Sequence, residues 1–242
     1  MHVVLRQKLQ AHSALDADDA AALNRLPYHD RHLANGEDAI CQGERPDSAI
    51  LVLEGMVARY QTLADGRRQF ISFHITGELP DAQALFLTEM DHSICALGPA
   101  VIAMIPHEAL LTLFMRRPGV GLAIWRETLI DAAIFRSTIV NNSARAPLAR
   151  AAHFFCEQYY RARSRFSRRG EVGTCSLPLS QAQLGDTLGM SIVTVNRTVQ
   201  QLRRTGTMDW NDGVLQVKNW AKLAVLGEFD PAYLHARAPR RL

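Results

Sequence analysis

The chain has 242 residues, of which 48% are hydrophobic and 21% are charged, and its formal net charge at pH 7 is +3. This composition is typical of a globular protein with enough apolar material for a core, and it argues against a disordered chain. No apolar run is long enough for a membrane span and the first residues lack a signal-peptide pattern, so we expect no membrane partner and a cytoplasmic location.

The charge is distributed unevenly along the chain. Residues 1–140 contain 12 Lys and Arg against 17 Asp and Glu, whereas residues 141–242 contain 15 against 7. A basic half is the electrostatic pattern expected of a nucleic-acid binder. Charge alone does not identify the partner, so a motif in the basic half must support this prediction.

The four cysteines are far apart in the sequence and form no CxxC pair. This spacing argues against a disulfide framework or a zinc site, and we expect reduced thiols. The residues are Cys41, Cys95, Cys156 and Cys175.

The first half of the chain predicts a β-rich region that follows a short helix. Residues 13–26 read as that helix, with acidic residues in its first turn. From about residue 33 to 106, short β-branched runs alternate with glycine turns, which is typical of an antiparallel barrel or jelly roll. Ser93–Leu97 and Val101–Ile105, separated by Gly98-Pro99, predict one more hairpin.

A long apolar helix is predicted over residues 119–142, after a short helix over 107–115. Its apolar residues lie on nearly every face, so it must be covered on more than one side. We expect the barrel on one side and a symmetry mate on the other, which gives a twofold homodimer. The alternative is a helix buried wholly within one chain. The predicted dimer seam contains Leu122, Leu129 and Ala133.

Residues 179–204 predict two helices separated by a glycine turn. Ser180 is a good N-cap for a helix over 181–188, Gly189 supplies a left-handed turn residue, and Ser191 caps the second helix. The inward stripe of that second helix is Val195, Val199 and Leu202.

The outward face of the second helix begins with two β-branched apolar residues, Ile192 and Val193. They gain nothing on a solvated helix, whereas the first turn of a recognition helix reaches base edges in the major groove and can pack on a thymine methyl. Arg197 can bind guanine O6 and N7, and Asn196 an adenine edge or a phosphate. Hydroxyls near the helix N-termini can position phosphates. The predicted DNA-binding residues are Ser180, Ser191, Ile192, Val193, Thr194, Asn196, Arg197 and Gln200, with Arg203 or Arg204 also pointing outward.

The segment that follows predicts a strand, a tight turn at Asn211-Asp212-Gly213 and a second strand, and so completes a winged helix-turn-helix. The alternative is a helical hairpin within a core. The chain is therefore predicted to have an α+β fold. The predicted domains are a barrel sensor domain over 13–115, a dimerisation helix over 118–142, a DNA-binding domain over 146–220 and a tail over 221–242.

This arrangement resembles the Crp/Fnr superfamily of bacterial transcription regulators over roughly residues 30–220, most clearly in LSQAQLGDTLGMSIVTVNRTVQQLR. The resemblance implies a cyclic-nucleotide-binding-like β jelly roll, a homodimer on palindromic promoter sites in double-stranded DNA, and contact with RNA polymerase. It also implies that Arg197 is the guanine reader. Many members carry a glutamate where Val193 stands, so the usual half-site is not expected here.

The effector site departs from the pattern of the cyclic-nucleotide-binding members. These members hold the phosphate with a Gly-Glu-Leu turn and a later Arg-Ser pair. Here Pro80-Asp81 follows the turn and the later pair is His92-Ser93, so the neutralising arginine is missing and cyclic AMP is not the expected effector. The candidate effector residues are Gly77, Glu78, Leu79, His92, Ser93, and, at the purine-contacting positions of the long helix, Phe135 and Arg136.

Arg136 is an unusual residue for a dimerisation helix. It could bind an anionic effector in the barrel, or it could pair with Glu127 or Asp131 across the dimer. The sequence does not decide between the two.

The sequence favours neither an iron–sulfur cluster nor haem. The cysteines form no cluster, and a single barrel histidine such as His74 or His92 is more often a hydrogen-bonded structural residue. A cupin-like metal enzyme needs closely paired histidines on adjacent strands, but His29 and His32 precede the strands. This enzyme and a dimeric scaffold without DNA binding are the alternatives to a DNA-binding regulator.

Overall fold

The computed structural model describes residues 1–163 and 172–235. The sequence predicts a basic loop over residues 161–169, but α5 continues to Arg163. Residues 164–169 and the end of the predicted tail lie outside the described residues. The chain divides into two compact units, Met1–Ala132 and Ala133–Leu234. The predicted domain limits stay predictions. The boundary between the two units falls within one helix, Pro118–Ala144.

The first unit is an antiparallel β-domain with helices before and after it. The strand order is β1-β5-β3-β4, and β2 also pairs with β5, always antiparallel. The predicted α+β fold is thereby confirmed for this half. Its elements are α1 (His2–Gln10), α2 (Ala17–Leu23), β1 (His29–Leu33), β2 (Asp38–Ile40), β3 (Ser48–Thr62), β4 (Arg68–Ile75), a 3-10 helix (Ala82–Leu85), β5 (Ser93–Pro106), α3 (His107–Arg116) and the first part of α4 (Pro118–Ala144).

The second unit contains the remaining helices and a small sheet. The sheet is antiparallel, in the order β6-β8-β7. Its elements after α4 are α5 (Pro147–Arg163), β6 (Gly173–Ser176), α6 (Gln181–Leu188), α7 (Ile192–Arg204), β7 (Met208–Asn211), β8 (Val214–Val217), α8 (Trp220–Leu226) and a final 3-10 helix (Pro231–Leu234).

The N-terminal helices differ from the prediction. Within residues 13–26 only α2 is helical, because Asp16 is its N-cap. The Asp16 side chain accepts a hydrogen bond from the Asp19 backbone N–H, and the Asp19 side chain accepts one from the Asp16 backbone N–H. The preceding helix α1 was not predicted. It is held by its packing, since Leu5 and Leu9 are completely buried in the core.

The apolar run of β3 is explained by burial on both sides of the strand. Successive side chains of a strand point to opposite faces. Ile50 and Val52 belong to one core cluster, whereas Ala49 and Leu51 belong to the other, which includes the start of α4. A strand covered on both faces requires apolar residues at consecutive positions rather than at alternate ones.

The predicted hairpin at Gly98-Pro99 is wrong, because β5 continues through these residues from Ser93 to Pro106. The partner strand β3 is also continuous and follows β5 along its length, with shifts of register on both sides of Glu54. The glycines therefore mark a bulge within two long strands rather than a chain reversal.

Gly55 lies at this bulge and requires the absence of a side chain. Its φ is +80°, in the left-handed region. A Cβ built at Gly55 would lie 2.5 Å from the Pro99 carbonyl oxygen and 3.0 Å from the Ala100 Cα. Both neighbours are backbone atoms of β5, so the contact cannot be relieved by a side-chain rotation.

We expect Gly55→Ala to lower the free energy of unfolding by about 1–3 kcal/mol, measured by chemical denaturation. Gly66→Ala is the matched control, because Gly66 has a φ of +83° but nothing within 4 Å of its Cβ position. The control carries the backbone strain without the close approach. Equal losses in the two variants would contradict a packing role for Gly55.

Candidate DNA-binding surface and effector region

The two helices α6 and α7 begin and end where the local sequence predicts. The Ser180 hydroxyl accepts a hydrogen bond from the Gln183 N–H at 3.1 Å, and the Gln183 side chain accepts one from the Ser180 N–H. Gly189 ends α6 with φ +61° and ψ +41°. The Ser191 hydroxyl then accepts from the Thr194 N–H at 3.2 Å and caps α7. Both caps satisfy backbone N–H groups that a helix leaves unpaired.

One face of α7 is buried and the opposite face is exposed. Val195, Val199 and Leu202 have at most 2% of their surface exposed. Ile192 is 58% exposed and Val193 79% exposed, although both are apolar and β-branched. The remaining predicted DNA-binding residues are exposed as well, apart from the half-buried Thr194: they are Ser180, Ser191, Asn196, Arg197 and Gln200.

The polar residues of this face differ in what they contact. The Asn196 amide donates to the Gln181 side-chain oxygen at 3.3 Å, which joins α7 to the start of α6. The Arg197 guanidinium makes no hydrogen bond or ion pair with any other residue that the structure describes. It is therefore available to an external acceptor.

Arg203 and Arg204, which the sequence leaves as alternatives, have different roles. Arg203 Nε donates to Asp209 at 2.6 Å, and its Nη2 donates to the Trp210 carbonyl oxygen at 2.5 Å and to Asn211. Arg203 thus holds strand β7 against α7, whereas Arg204 is exposed. The two strands β7 and β8 form the predicted wing, and β6, which the sequence did not predict, adds a third strand.

The candidate effector residues of the β-domain fall into two separate groups. Glu78 is buried and belongs to the first group. Its carboxylate lies 3.4 Å from Lys8 Nζ and 3.7 Å from His74 Nδ1, and it accepts a hydrogen bond from the Ile75 N–H. Gly77 donates its N–H to the Val52 carbonyl oxygen, and Leu79 packs on the core beside them. The residues of this turn thus already make their contacts within the β-domain.

The second group contains His92 and Ser93. The Ser93 hydroxyl accepts a hydrogen bond from the Gln42 N–H, and His92 bonds to Asp91 at 2.7 Å. Burial, and then the nearby positive charge of Arg59, lower the pKa of His92, so His92 is neutral at neutral pH. His92 therefore cannot supply the cation that is absent from this position.

Arg59 is the buried cation that the sequence reasoning missed. It lies on β3 and is 3% exposed, and it donates to the Pro80 carbonyl oxygen at 2.7 Å and to Asp131 at 2.6 Å. The only hint in the local sequence is that a charged residue interrupts the mostly apolar run MVARY. Its partner is 72 residues away, so the pair cannot be found from local sequence.

Phe135 and Arg136 lie on the part of α4 that belongs to the second unit; Phe135 is half-buried and Arg136 exposed.

The large apolar residues of α4 that remain exposed are Leu122 (65%), Trp125 (55%), Leu129 (50%), Ile139 (68%) and Val140 (53%). Ala133, which is part of the predicted seam, does not belong to this set, because it is 94% buried. A pocket of about 360 Å³ opens beside Trp125 and is lined by Phe86, Phe114 and Ile124 among others.

Each unit contains two of the four cysteines, which form no disulfide. Burial raises the pKa of the Cys95 thiol to about 11. His29 and His32, which the sequence was expected to place before the strands, lie on β1. Among the residues that the structure describes, no three His, Cys, Asp or Glu side chains are grouped so that they could hold a metal ion. Within residues 1–163 and 172–235, none of the helices combines the length and the apolarity that crossing a bilayer requires.

Two family models match the chain. The cyclic nucleotide-binding domain matches residues 30–117 and the Crp-like helix-turn-helix domain matches residues 149–226, and together they span more than half of the sequence.

Several known proteins are similar along most of their length. The nitrogen fixation regulation protein FixK of Bradyrhizobium diazoefficiens is 26% identical over 211 residues, covering 86% of each chain. The transcriptional activator protein FnrL of Cereibacter sphaeroides is 24% identical over 199 residues, covering 80% of this chain and 77% of FnrL. The structure of FixK2 from Bradyrhizobium japonicum has a TM-score of 0.72 at 22% identity, covering 83% of this chain and 98% of that chain, which shows a common fold.

These relatives are regulators rather than enzymes, so the comparisons do not favour the cupin-like alternative. The two domain matches lie on the β-domain and on the helix-turn-helix, in the order that the sequence predicts. The chain belongs to the Crp/Fnr family of DNA-binding transcription regulators.

Proposed function

We propose that the protein is a homodimer that binds a palindromic promoter site in double-stranded DNA and inserts the first turns of α7 into the major groove. The observation that carries this proposal is the exposed face of α7, where Ile192, Val193 and Arg197 project together while the opposite stripe is buried. Exposed β-branched residues at the start of a helix are explained by apolar base edges, not by water.

Each residue of the face has a distinct task in this proposal. Arg197, which has no partner within the described chain, is suited to bind guanine O6 and N7 with two hydrogen bonds. Ile192 and Val193 pack on thymine methyl groups. The hydroxyls of Ser180 and Ser191 remain at the helix N-termini, where they and the free backbone N–H groups can position phosphates.

The half-site differs from that of members with a glutamate at the position of Val193. A carboxylate accepts a hydrogen bond from cytosine N4, which a valine cannot do. We infer a preference for thymine at the corresponding base pair.

Two copies of α4 form the proposed dimer seam. Leu122, Leu129 and Arg136 are seven residues apart, and Trp125, Ala132 and Ile139 are seven apart on the adjacent line. This spacing is typical of a helix that packs along a parallel partner. The exposed apolar side chains at five of the α4 positions support it, and the pocket beside Trp125 lies at the edge of the same surface.

Arg136 lies on this stripe, whereas Glu127 and Asp131 lie on the other side of α4. Lys8 and His12 contact Glu127, and Arg59 contacts Asp131, so both carboxylates already have cationic partners in their own chain. Pairing of Arg136 with either of them across the dimer is therefore disfavoured. In the proposed seam the two Arg136 side chains approach each other and limit the strength of the dimer.

A regulator of this kind acts on chromosomal DNA, and we infer a cytoplasmic location and, from the family, contact with RNA polymerase. The effector, if the protein has one, is proposed not to be cyclic AMP, haem or an iron–sulfur cluster. A dimeric scaffold without DNA binding is the competing function. An electrophoretic shift with the DNA upstream of the protein's own gene separates the two.

We expect Arg197→Ala to weaken specific DNA binding by about 1–3 kcal/mol and to relax the preference at one G·C pair, as measured by competition with single-base variants of the site. Arg204→Ala is the control: an exposed cation in the last turn of α7 should contribute to all sequences alike. If Arg197→Ala keeps full discrimination at every position, Arg197 does not read a base.

Leu129→Glu should convert the dimer into a folded monomer, because it introduces an unpaired charge into the apolar seam at a cost of about 3–5 kcal/mol. The variant should no longer shift the palindrome, since one recognition helix makes too few contacts at physiological salt. Sedimentation measures the assembly. Met115→Glu is the matched control, because Met115 is 84% exposed and lies on α3. If Leu129→Glu stays dimeric and still binds DNA, the seam lies elsewhere.

Cyclic AMP should give no saturable heat of binding in calorimetry at millimolar concentration. Position 92 has a neutral histidine, Arg59 is already paired, and Asp81 adds a buried carboxylate nearby. A micromolar dissociation constant would contradict this expectation and would point to another cation at the phosphate.

A further inference from the structure

A buried ion pair joins the interior of the β-domain to α4. Only 4% of the Arg59 side chain is exposed, and its Nη1 donates to Asp131 Oδ2 at 2.6 Å. Arg59 lies opposite Ser72 of β4 and Ile94 of β5, so strand pairing on both sides fixes its backbone. A guanidinium removed from water is stable only with a counter-charge. Asp131 supplies that charge.

A second carboxylate fastens the same side of α4. Glu127 lies one turn before Asp131, so the two side chains project in the same direction. Lys8 Nζ lies 3.1 Å from Glu127, and His12 contacts it as well. Burial opposes ionisation of this carboxyl, yet the charge of Lys8 and the hydrogen bond from His12 hold the pKa of Glu127 below its usual range. Two carboxylates one turn apart thus hold α4 on the first unit.

The surroundings of Arg59 are unfavourable for an additional anion. Asp81 is completely buried and accepts a hydrogen bond from the Ile50 N–H at 2.8 Å. Burial raises the pKa of Asp81 to about 7, against the opposing effects of that hydrogen bond and of Arg59. An entering anion would meet Asp81 and Asp131 and an arginine that is already paired.

We propose that the Asp131 carboxylate is a built-in ligand, which occupies the anion-binding position of Arg59 and holds α4 on the β-domain without an anionic effector. The regulatory consequence, DNA binding that requires no such effector, rests on the proposed function. The occupancy of Arg59 does not. Removing the carboxylate should turn the closed pair into an anion site, because a guanidinium binds oxyanions with charge-assisted hydrogen bonds.

Asp131→Asn tests this, because it removes the charge and keeps the size of the side chain. Inorganic phosphate is the probe. In calorimetry the wild-type protein should show no saturable binding at millimolar phosphate, whereas the variant should bind it saturably and melt at a higher temperature in its presence. Without phosphate the variant should bind DNA at least about tenfold more weakly than the wild type, and phosphate should restore the affinity.

Two controls locate the effect at Arg59. Arg59→Met combined with Asp131→Asn removes both charges, so this protein should fold without binding phosphate, since it contains neither an uncompensated buried charge nor the guanidinium. Glu127→Gln removes the other carboxylate of the same helix face. Lys8 keeps its contact with Glu78 at 3.4 Å in that variant, so no phosphate dependence is expected.

Several results would overturn the proposal. Saturable phosphate binding by the wild type would mean that the site is open, and a folded Asp131→Asn protein that ignores phosphate would mean that Asp131 occupies no anion site. If Asp131→Asn does not fold, the wild-type protein provides the test. It is unfolded, washed free of bound anions and refolded in phosphate-free buffer, and its DNA affinity is then measured. It should bind DNA with unchanged affinity, and a loss restored only by an added anion refutes the built-in ligand. If no protein shifts DNA, the proposed function fails, while the phosphate titrations still report on Arg59.

Discussion

Burying the Arg59 guanidinium obliges the chain to keep a carboxylate against it, and this requirement fixes one side of α4. Asp131 and Glu127 both project toward cations of the first unit, so the helix cannot rotate about its axis without separating buried charges. Once that side is fixed, the residues on the other side are determined. Leu122, Trp125 and Leu129 become the exposed stripe, and their 50–65% exposure follows from the orientation that the ion pairs impose.

The same logic of one fixed face applies to α7, although the fixing interactions are apolar. Val195, Val199 and Leu202 are buried almost completely, and Arg203 adds three hydrogen bonds to the wing. Apart from the Ser191 cap and the hydrogen bond from Asn196 to Gln181, the residues of the opposite face are not required for packing. This explains why that face can carry Ile192 and Val193, which leave most of their surface exposed and are suited to an apolar surface supplied by a partner.

Sequence reasoning succeeded where the determinants are local. The caps at Ser180 and Ser191 and the turn at Gly189 each act within a few residues, so the limits of α6 and α7 could be predicted closely. It failed where the local structure depends on contacts with residues that are distant in the sequence. No cap hydrogen bond marks the start of α1, whose Leu5 and Leu9 depend on the core.

The predicted seam and the candidate effector residues illustrate the same limit. Ala133 is four residues after Leu129, which is neighbouring on a helix, but the burial of Ala133 is set by packing and not by spacing. Glu78 contacts Lys8 of α1, whereas the pKa of His92 is lowered by burial and by the charge of Arg59 on β3. Neither partner is visible from a Gly-Glu-Leu turn alone.

An apolar first turn on α7 also changes the proposed balance between base reading and phosphate binding. In the proposed complex, Ile192 and Val193 can distinguish a thymine methyl but cannot form the hydrogen bonds that separate the other bases, so most of the direct readout is assigned to Arg197. Affinity then depends more on phosphate contacts, for which residues 141–242 provide 15 Lys and Arg against 7 Asp and Glu. Phosphate contacts are indifferent to sequence and are weakened by salt. In the proposed homodimer, selectivity at physiological salt therefore requires that both half-sites be read together. The proposed seam along α4 is then as important to sequence recognition as the residues proposed to touch the bases.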